Sequence, residues 1–170
     1  MKRQPWTSHI FNLNIHPGWA ANIMARVQDT EIRIQHYCKD LSDTQLSFQP
    51  EGGWSIKEHI GHLIDLEILH HQRIAEFAIL KTELSAADMS NAQTEAANHN
   101  SKSFENLLNA FRSARNAFIT EFEALPESSL QHQAMHPRLK VPMKPVDLLF
   151  FVAEHDDHHL ATILALKKIV

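Results

Sequence analysis

The stretch Val146-Asp147-Leu148-Leu149-Phe150-Phe151-Val152-Ala153-Glu154-His155-Asp156-Asp157-His158-His159-Leu160-Ala161-Thr162-Ile163-Leu164-Ala165-Leu166 decides how the chain is read. Two apolar runs flank a polar island, and the whole keeps a helical period. On a helical wheel Leu148, Leu149, Val152, His155, Asp156, His159, Leu160, Ile163 and Leu166 share one arc. Asp147, Glu154, Asp157, His158, Ala161 and Lys168 fall on the remainder. His155 and His159 therefore stand one turn apart on the face that should be core. Burying imidazoles without partners costs about 1–3 kcal/mol each, so these two should be hydrogen-bonded or coordinated. An i, i+4 histidine pair can supply two ligands to one transition-metal ion. With 13 His in 170 residues such pairs also arise by chance, so spacing alone leaves satisfied core histidines and metal ligands both open.

Working outward, the same period recurs in three more segments. A first helix is expected from about Gly18 to Lys39, with Trp19, Ile23, Val27, Ile34 and Cys38 as its apolar stripe. A short capped turn, Leu41 to Leu46, and the breaker Pro50-Glu51-Gly52-Gly53 follow. The second helix begins at the N-cap Ser55, with Glu58 completing a capping box, and runs to about Lys81. Ile56, Ile60, Leu63, Leu66, Ile74 and Phe77 form its buried side. Ser85 to Asn100 is small, polar and aperiodic, and reads as a loop that could cover one end of the molecule. The third helix starts near Ser101 or Ser103, buries Phe104, Leu107, Leu108, Phe111, Phe118 and Phe122, and stops at Leu125-Pro126. A stiff connection carrying Pro137 and Pro142 leads to Pro145, which suits the first turn of the fourth helix. The residues before Gly18 suggest a short extra helix or an arm. With only 4 Gly and nothing resembling regularly spaced strands, the expectation is an all-α four-helix bundle forming one domain over residues 1–170.

Composition narrows the classes of function. A net charge of -4 with neutral His and no sustained Lys/Arg run speak against a nucleic-acid surface. No apolar run reaches the roughly 18–20 residues of a membrane span. A single cysteine, Cys38, forms no internal disulfide, and no apolar signal core follows Met1-Lys2-Arg3-Gln4-Pro5-Trp6. A cytoplasmic protein without nucleic-acid or membrane partners is expected, and homodimerisation through exposed apolar residues is compatible with such a bundle.

A third ligand would have to come from another helix. The second carries His59, His62, His70 and His71. His62 lies at one edge of the apolar arc with Leu66 and Leu69, His59 and His70 lie nearer its middle, and His71 points away; phase alone does not choose. Glu58 and Asp65 flank His62 and either could orient its second ring nitrogen.

Trp54-Ser55-Ile56-Lys57-Glu58-His59-Ile60-Gly61-His62-Leu63-Ile64-Asp65 resembles the helix-two signature of the DinB/YfiT-like superfamily, and His155-Asp156-Asp157-His158-His159 resembles its helix-four signature. The resemblance covers nearly the whole chain in helix order and spacing. It implies a four-helix bundle with a long crossover connection and a divalent metal held by His62, His155 and His159. His59 departs from the usually aliphatic residue at its position, and is either a core histidine or an extra polar group at the site. Asp156 points inward beside the ligands, as a partner to them, a substrate contact or an interhelical hydrogen-bonding group. Glu154 and Asp157 read as a solvated face, and Cys38 as a buried apolar residue.

Three imidazoles leave a coordination position open, which separates catalytic from closed structural sites. Two chemistries follow for a small-molecule substrate. One is attack of an activated water on an amide or ester, with Asp156, Asp65 or Glu58 moving the proton. The other is activation of a low-molecular-weight thiol for transfer to an electrophile, as the thiol-dependent members of this superfamily imply. Zn or Ni is the expected ion, with Fe and Mn also compatible. The alternative is a non-catalytic metal-binding or dimerisation bundle.

Overall fold

The computed structural model describes residues 4–170. Its helices are α1 (Ala20–Gln28), α2 (Thr30–Cys38), α3 (Asp43–Leu46), α4 (Ile56–Ala78), α5 (Ala92–Ala96), α6 (Phe104–Glu123) and α7 (Pro145–Leu166). α1 and α2 lie end to end as the first long element, so the bundle is made of α1–α2, α4, α6 and α7. The helix ends sit where local chemistry puts them. Ser55 Oγ accepts from the Glu58 amide at 3.1 Å while Glu58 Oε2 accepts from the Ser55 amide at 2.7 Å. Ser103 Oγ accepts from the Asn106 amide, and Pro145 opens α7. α4 ends at Ala78, slightly short of the expected Lys81.

Two apolar clusters fill the bundle, one at each end. The first halves of α4 and α6 (Ile56, Ile60, Leu63; Leu107, Leu108, Phe111) share a cluster with Ile34 and Cys38 of α2 and Leu160, Ile163 and Leu166 of α7. The second halves (Ile74, Phe77; Phe118, Ile119, Phe122) share the other with Ile23, Met24 and Val27 of α1 and Val146, Leu148, Leu149 and Val152 of α7. α4 and α6 therefore run parallel to each other and antiparallel to α1–α2 and α7. Parallel neighbours need a connection that travels back along the bundle, and the segment from 79 to 103 makes that crossover. The proline-bearing connection before α7 joins two helix ends at the same end of the bundle instead. It holds a small hairpin, β1 (Ala134–Met135) against β2 (Pro142–Met143), the only strands among the described residues and a feature the helical reading did not foresee. The crossover is pinned to this hairpin, with the Leu84 amide donating to the Met135 carbonyl at 3.0 Å.

Between the apolar halves lies a polar layer to which each long element gives one residue. Arg115 of α6 donates to Glu67 of α4 (Nε, 2.9 Å) and to both carboxylate oxygens of Asp156 of α7, and Thr30 donates to Asp156 at 2.7 Å. All four side chains are buried. This layer explains why the first helix is broken where the sequence suggested one continuous element. Arg115 Nη1 donates to the Val27 carbonyl at 3.0 Å, and the Arg26 carbonyl accepts from Thr30 and Arg33, so side chains take over backbone acceptors at the break. Glu154 and Asp157, expected on a solvated face, instead pair with Arg26 of α1 and Arg33 of α2 across the seam with α7.

The first described residues form an arm, with 3-10 turns at Trp6–Ser8 and Pro17–Trp19, rather than an α-helix. Asp147, which the wheel put outside the apolar arc, is buried and holds this arm by accepting from the Ile15 amide at 2.8 Å. Among the described residues no helix is long and apolar enough to cross a membrane.

Candidate metal centre

α4 and α7 pack so that His62, His155 and His159 meet. One ring nitrogen from each lies within 4.8 Å of the other two, and all three residues are buried. The Nε2 atoms of His155 and His159 are 3.2 Å apart. Ligand nitrogens about 2.0–2.1 Å from a tetrahedral ion stand roughly 3.3–3.4 Å from one another, so the pair is spaced as such a site requires.

The electrostatics fit a cation. Burial, outweighing Asp65 nearby, lowers the His62 pKa to about 4. Burial together with the neighbouring imidazoles holds His155 and His159 well below the ordinary histidine range. At neutral pH the cluster is three uncharged imidazoles, the form that coordinates metals. His155 Nδ1 is buried without a hydrogen-bond partner among the described residues. A donor set this rich in lone pairs, with no cation of its own, suits a divalent transition metal.

The second nitrogen of His62 is oriented through a bridge. Thr94 Oγ1 donates to Asp65 Oδ2 at 2.9 Å, which leaves its lone pairs to accept from His62 Nδ1 at 3.1 Å. That arrangement puts the proton on Nδ1 and frees Nε2. Asp65 also accepts from His99 Nε2 at 2.9 Å, and His99 Nδ1 faces Lys102 Nζ at 3.3 Å. The ring of His99 lies directly on α4 because position 61 is glycine: a Cβ there would fall 2.1 Å from His99 Cγ. Thr94 and His99 come from the crossover, so the segment that read as a loop covering one end supplies the support for His62.

Two tryptophans wall the cluster. The Trp54 ring centroid is 4.9 Å from that of His62, and the Trp6 centroid is 4.9 Å from that of His155. His59 Nδ1 lies 2.9 Å from His159 Nδ1, which places this residue at the site. Beside the cluster opens a cavity of about 510 Å³, lined by the three histidines, His59, His158, both tryptophans, and residues of the crossover and the hairpin connection.

The profile of the DinB superfamily matches residues 26–163, spanning all four bundle elements. The chain belongs to the DinB superfamily. YfiT from Bacillus subtilis, described as a probable metal-dependent hydrolase with an unusual four-helix bundle topology, shares this fold at a TM-score of 0.80 and 16% identity. The match covers 95% of this chain and 93% of that one. A mycothiol-dependent maleylpyruvate isomerase matches at a TM-score of 0.66 and 10% identity, over 84% of this chain and 59% of the isomerase. No curated protein matches the sequence at a significant level.

The three carboxylates named from the sequence of this DinB member are engaged in other contacts, Asp65 beside a smaller pocket that it shares with His62. Asp156 is bound by Arg115 and Thr30 in the central layer. Asp65 faces Thr94 and His99, and Glu58 closes the α4 cap and accepts from Gln49. None of them lines the cavity that holds the histidines. His70 is buried against Glu67, His71 pairs with Glu121, and Cys38 sits in an apolar cluster where burial pushes its thiol up to about 12. Arg115, Glu67, Thr94 and His99 were not visible as a set, because their partners are remote in sequence. The one available signal was a charged residue, Arg115, on the aromatic face of the third helix.

Proposed function

We propose that His62, His155 and His159 hold one divalent transition-metal ion and that the protein is a metal-dependent enzyme acting on a small molecule in the adjoining cavity. Hydrolysis is the favoured reaction. The observation that carries this reading is the meeting of three buried, uncharged imidazoles at the end of a cavity large enough for a ligand. YfiT, similar over nearly its whole length, is itself described as a probable metal-dependent hydrolase. A divalent ion in such a site supplies Lewis acidity to an oxygen or sulfur atom brought to its open position.

The residues of the chain set the conditions. Thr94 and Asp65 keep the proton on His62 Nδ1, so Asp65 acts as a positioning residue. Trp6 and Trp54 exclude water from two sides and keep the local dielectric low, which strengthens every charge interaction at the reacting end. Asp156 acts through the fold, holding α7 against α6 one residue from His155. Of the polar side chains in the cavity wall, His59 and His158 stand next to the ligands, and they are the groups placed to exchange a proton with a bound substrate.

Thiol-dependent transfer is the second reading, supported by the likeness to a mycothiol-dependent isomerase, of which this chain spans only part. A screen separates the two: hydrolysis of ester and amide panels, and consumption of low-molecular-weight thiols with electrophiles, each with and without chelator. Chelator-sensitive hydrolysis without added thiol supports the hydrolase. Turnover only with thiol supports the transferase, and no chelator-sensitive turnover in either panel contradicts the enzyme reading.

A further inference from the structure

The cavity has a second polar end, built from the end of α4 and the hairpin connection. Arg73, Arg138 and His136 line it along with the metal-centre histidines. Arg73 is buried, and its Nε and Nη2 both donate to the Ser85 carbonyl, at 3.0 and 2.8 Å. Among the described residues neither arginine has a carboxylate within ion-pair distance, although the chain forms such pairs at Arg26, Arg33, Arg112 and Arg115. The acid nearest Arg73 in sequence, Glu76, is occupied by Lys81 and Ser85. Asp88 also lines the cavity, but its oxygens accept from Ser90 and the Ala92 amide at the start of α5.

His136 shows which way this end is poised. Its Nδ1 accepts from the amides of Arg138 and Leu139, both at 3.2 Å, which requires the ring proton to be on Nε2. Among the described residues that Nε2–H is buried and has no partner, the residue being 2% exposed, and Arg138 Nη2 is likewise buried without a partner. Buried donors of this kind cost stability unless something accepts from them. Burial and the two arginines together lower the His136 pKa to about 4, while burial, with a smaller push from Arg138, outweighs the pull of the nearby Glu76 carboxylate and lowers that of Arg73 to about 10.

We propose that this end of the cavity is an oxyanion subsite, in which Arg73, Arg138 and the Nε2–H of His136 receive a carboxylate or phosphate group of the substrate. The substrate is then a small anionic molecule that spans the cavity, its charged group on the arginines and its reacting group toward His62, His155 and His159. Guanidinium donors suit both oxyanions, and the apolar wall between the ends, including Phe151 and Leu69, suits a short hydrocarbon body. The inference rests on the cavity being the substrate site, but the subsite itself needs no metal.

The test is calorimetric titration of succinate, succinamide and inorganic phosphate into the purified protein, before and after chelator treatment, and into Arg138→Gln and Arg138→Lys. Succinate is expected to bind with and without metal, succinamide to fail, and Arg138→Gln to weaken succinate about tenfold or more, with partial recovery in Arg138→Lys. Tighter binding of phosphate than of succinate to the chelated protein assigns the natural group as phosphate; the reverse assigns carboxylate. Equal binding of succinate and succinamide, no binding of either oxyanion, or binding that ignores Arg138→Gln overturns the proposal. Oxyanion binding that vanishes with chelator and ignores Arg138 places the anion on the metal and overturns the subsite alone. Arg138-dependent binding in a protein that holds no metal upholds the subsite and removes the metal reading. Arg138 is half-buried and, among the described residues, its side chain makes no hydrogen bond or ion pair to another element, so its variants are expected to fold even if Arg73→Gln does not.

Discussion

Arg115 grips both carboxylate oxygens of Asp156 at the centre of the bundle, one residue from His155. Glu67 shares the guanidinium from the other side, and the Phe111 ring lies under it at 4.7 Å. Removing one partner of a buried ionic group leaves the others uncompensated, which costs roughly 3–5 kcal/mol. Arg115→Met should lose about that much in equilibrium urea unfolding. Arg115→Met combined with Glu67→Leu and Asp156→Leu should recover much of the loss. A single variant within about 1 kcal/mol of the parent would show that the layer does not hold the helices together.

Thr94 is the link between His62 and Asp65. Thr94→Val removes the bridging hydroxyl while keeping the side-chain shape, and metal affinity should fall about 10–100-fold in a chelator competition assay. Thr94→Ser should keep most of it. Unchanged affinity in Thr94→Val would mean that His62 needs no orienting partner or is not a ligand.

At Gly61 the crossover lies directly against α4. In Gly61→Ala the new methyl meets the His99 ring, which is buried and tied to Asp65, so the ring and its segment must shift. A loss of about 1–3 kcal/mol is expected, with faster proteolysis between 86 and 103. Normal stability and protection would show that His99 is not held as described.

Stability of the metal-free protein should depend on pH in a defined window. His62 and His136 titrate near 4 when folded, against an ordinary value near 6.5 when unfolded, and His155 and His159 are lowered in the same direction. The unfolded chain therefore binds more protons between these values, and stability falls as pH drops from about 6.5 toward 4. Glu67 acts lower: against burial, Arg115 and His70 hold it near 2, so its contribution is full above the usual carboxylate range and is lost as pH falls from about 4.5 through about 2. Urea midpoints at several pH values check this. A flat profile between pH 7 and 4 would contradict the burial of these imidazoles.

The sequence showed what repeats locally. Ser55 with Glu58 and the N-terminal Pro145 marked helix starts because capping involves residues a few positions apart. Helix phase separated His155 and His159 from His158 for the same reason. The third histidine of the cluster needed the family likeness, since packing rather than period brings α4 to α7. The polar layer was hidden because Glu67, Arg115 and Asp156 each look like an interruption of an apolar stripe until their partners are seen together. The break at Asp29 follows from that layer and was hidden with it. Thr94 and His99 lie in a segment without periodicity, so pattern carried no information about them. The oxyanion end was unreadable for a related reason: Arg73 and Arg138 meet only through the fold.

The most direct test of the central claim is elemental analysis of the untagged protein, purified without chelator. About one divalent transition-metal ion per chain is expected, lost in His155→Ala and His159→Ala, sharply reduced in His62→Ala and retained in His71→Ala. Native protein that folds and carries no metal even after incubation with zinc or nickel, or that keeps its metal in all three ligand variants, would contradict the account.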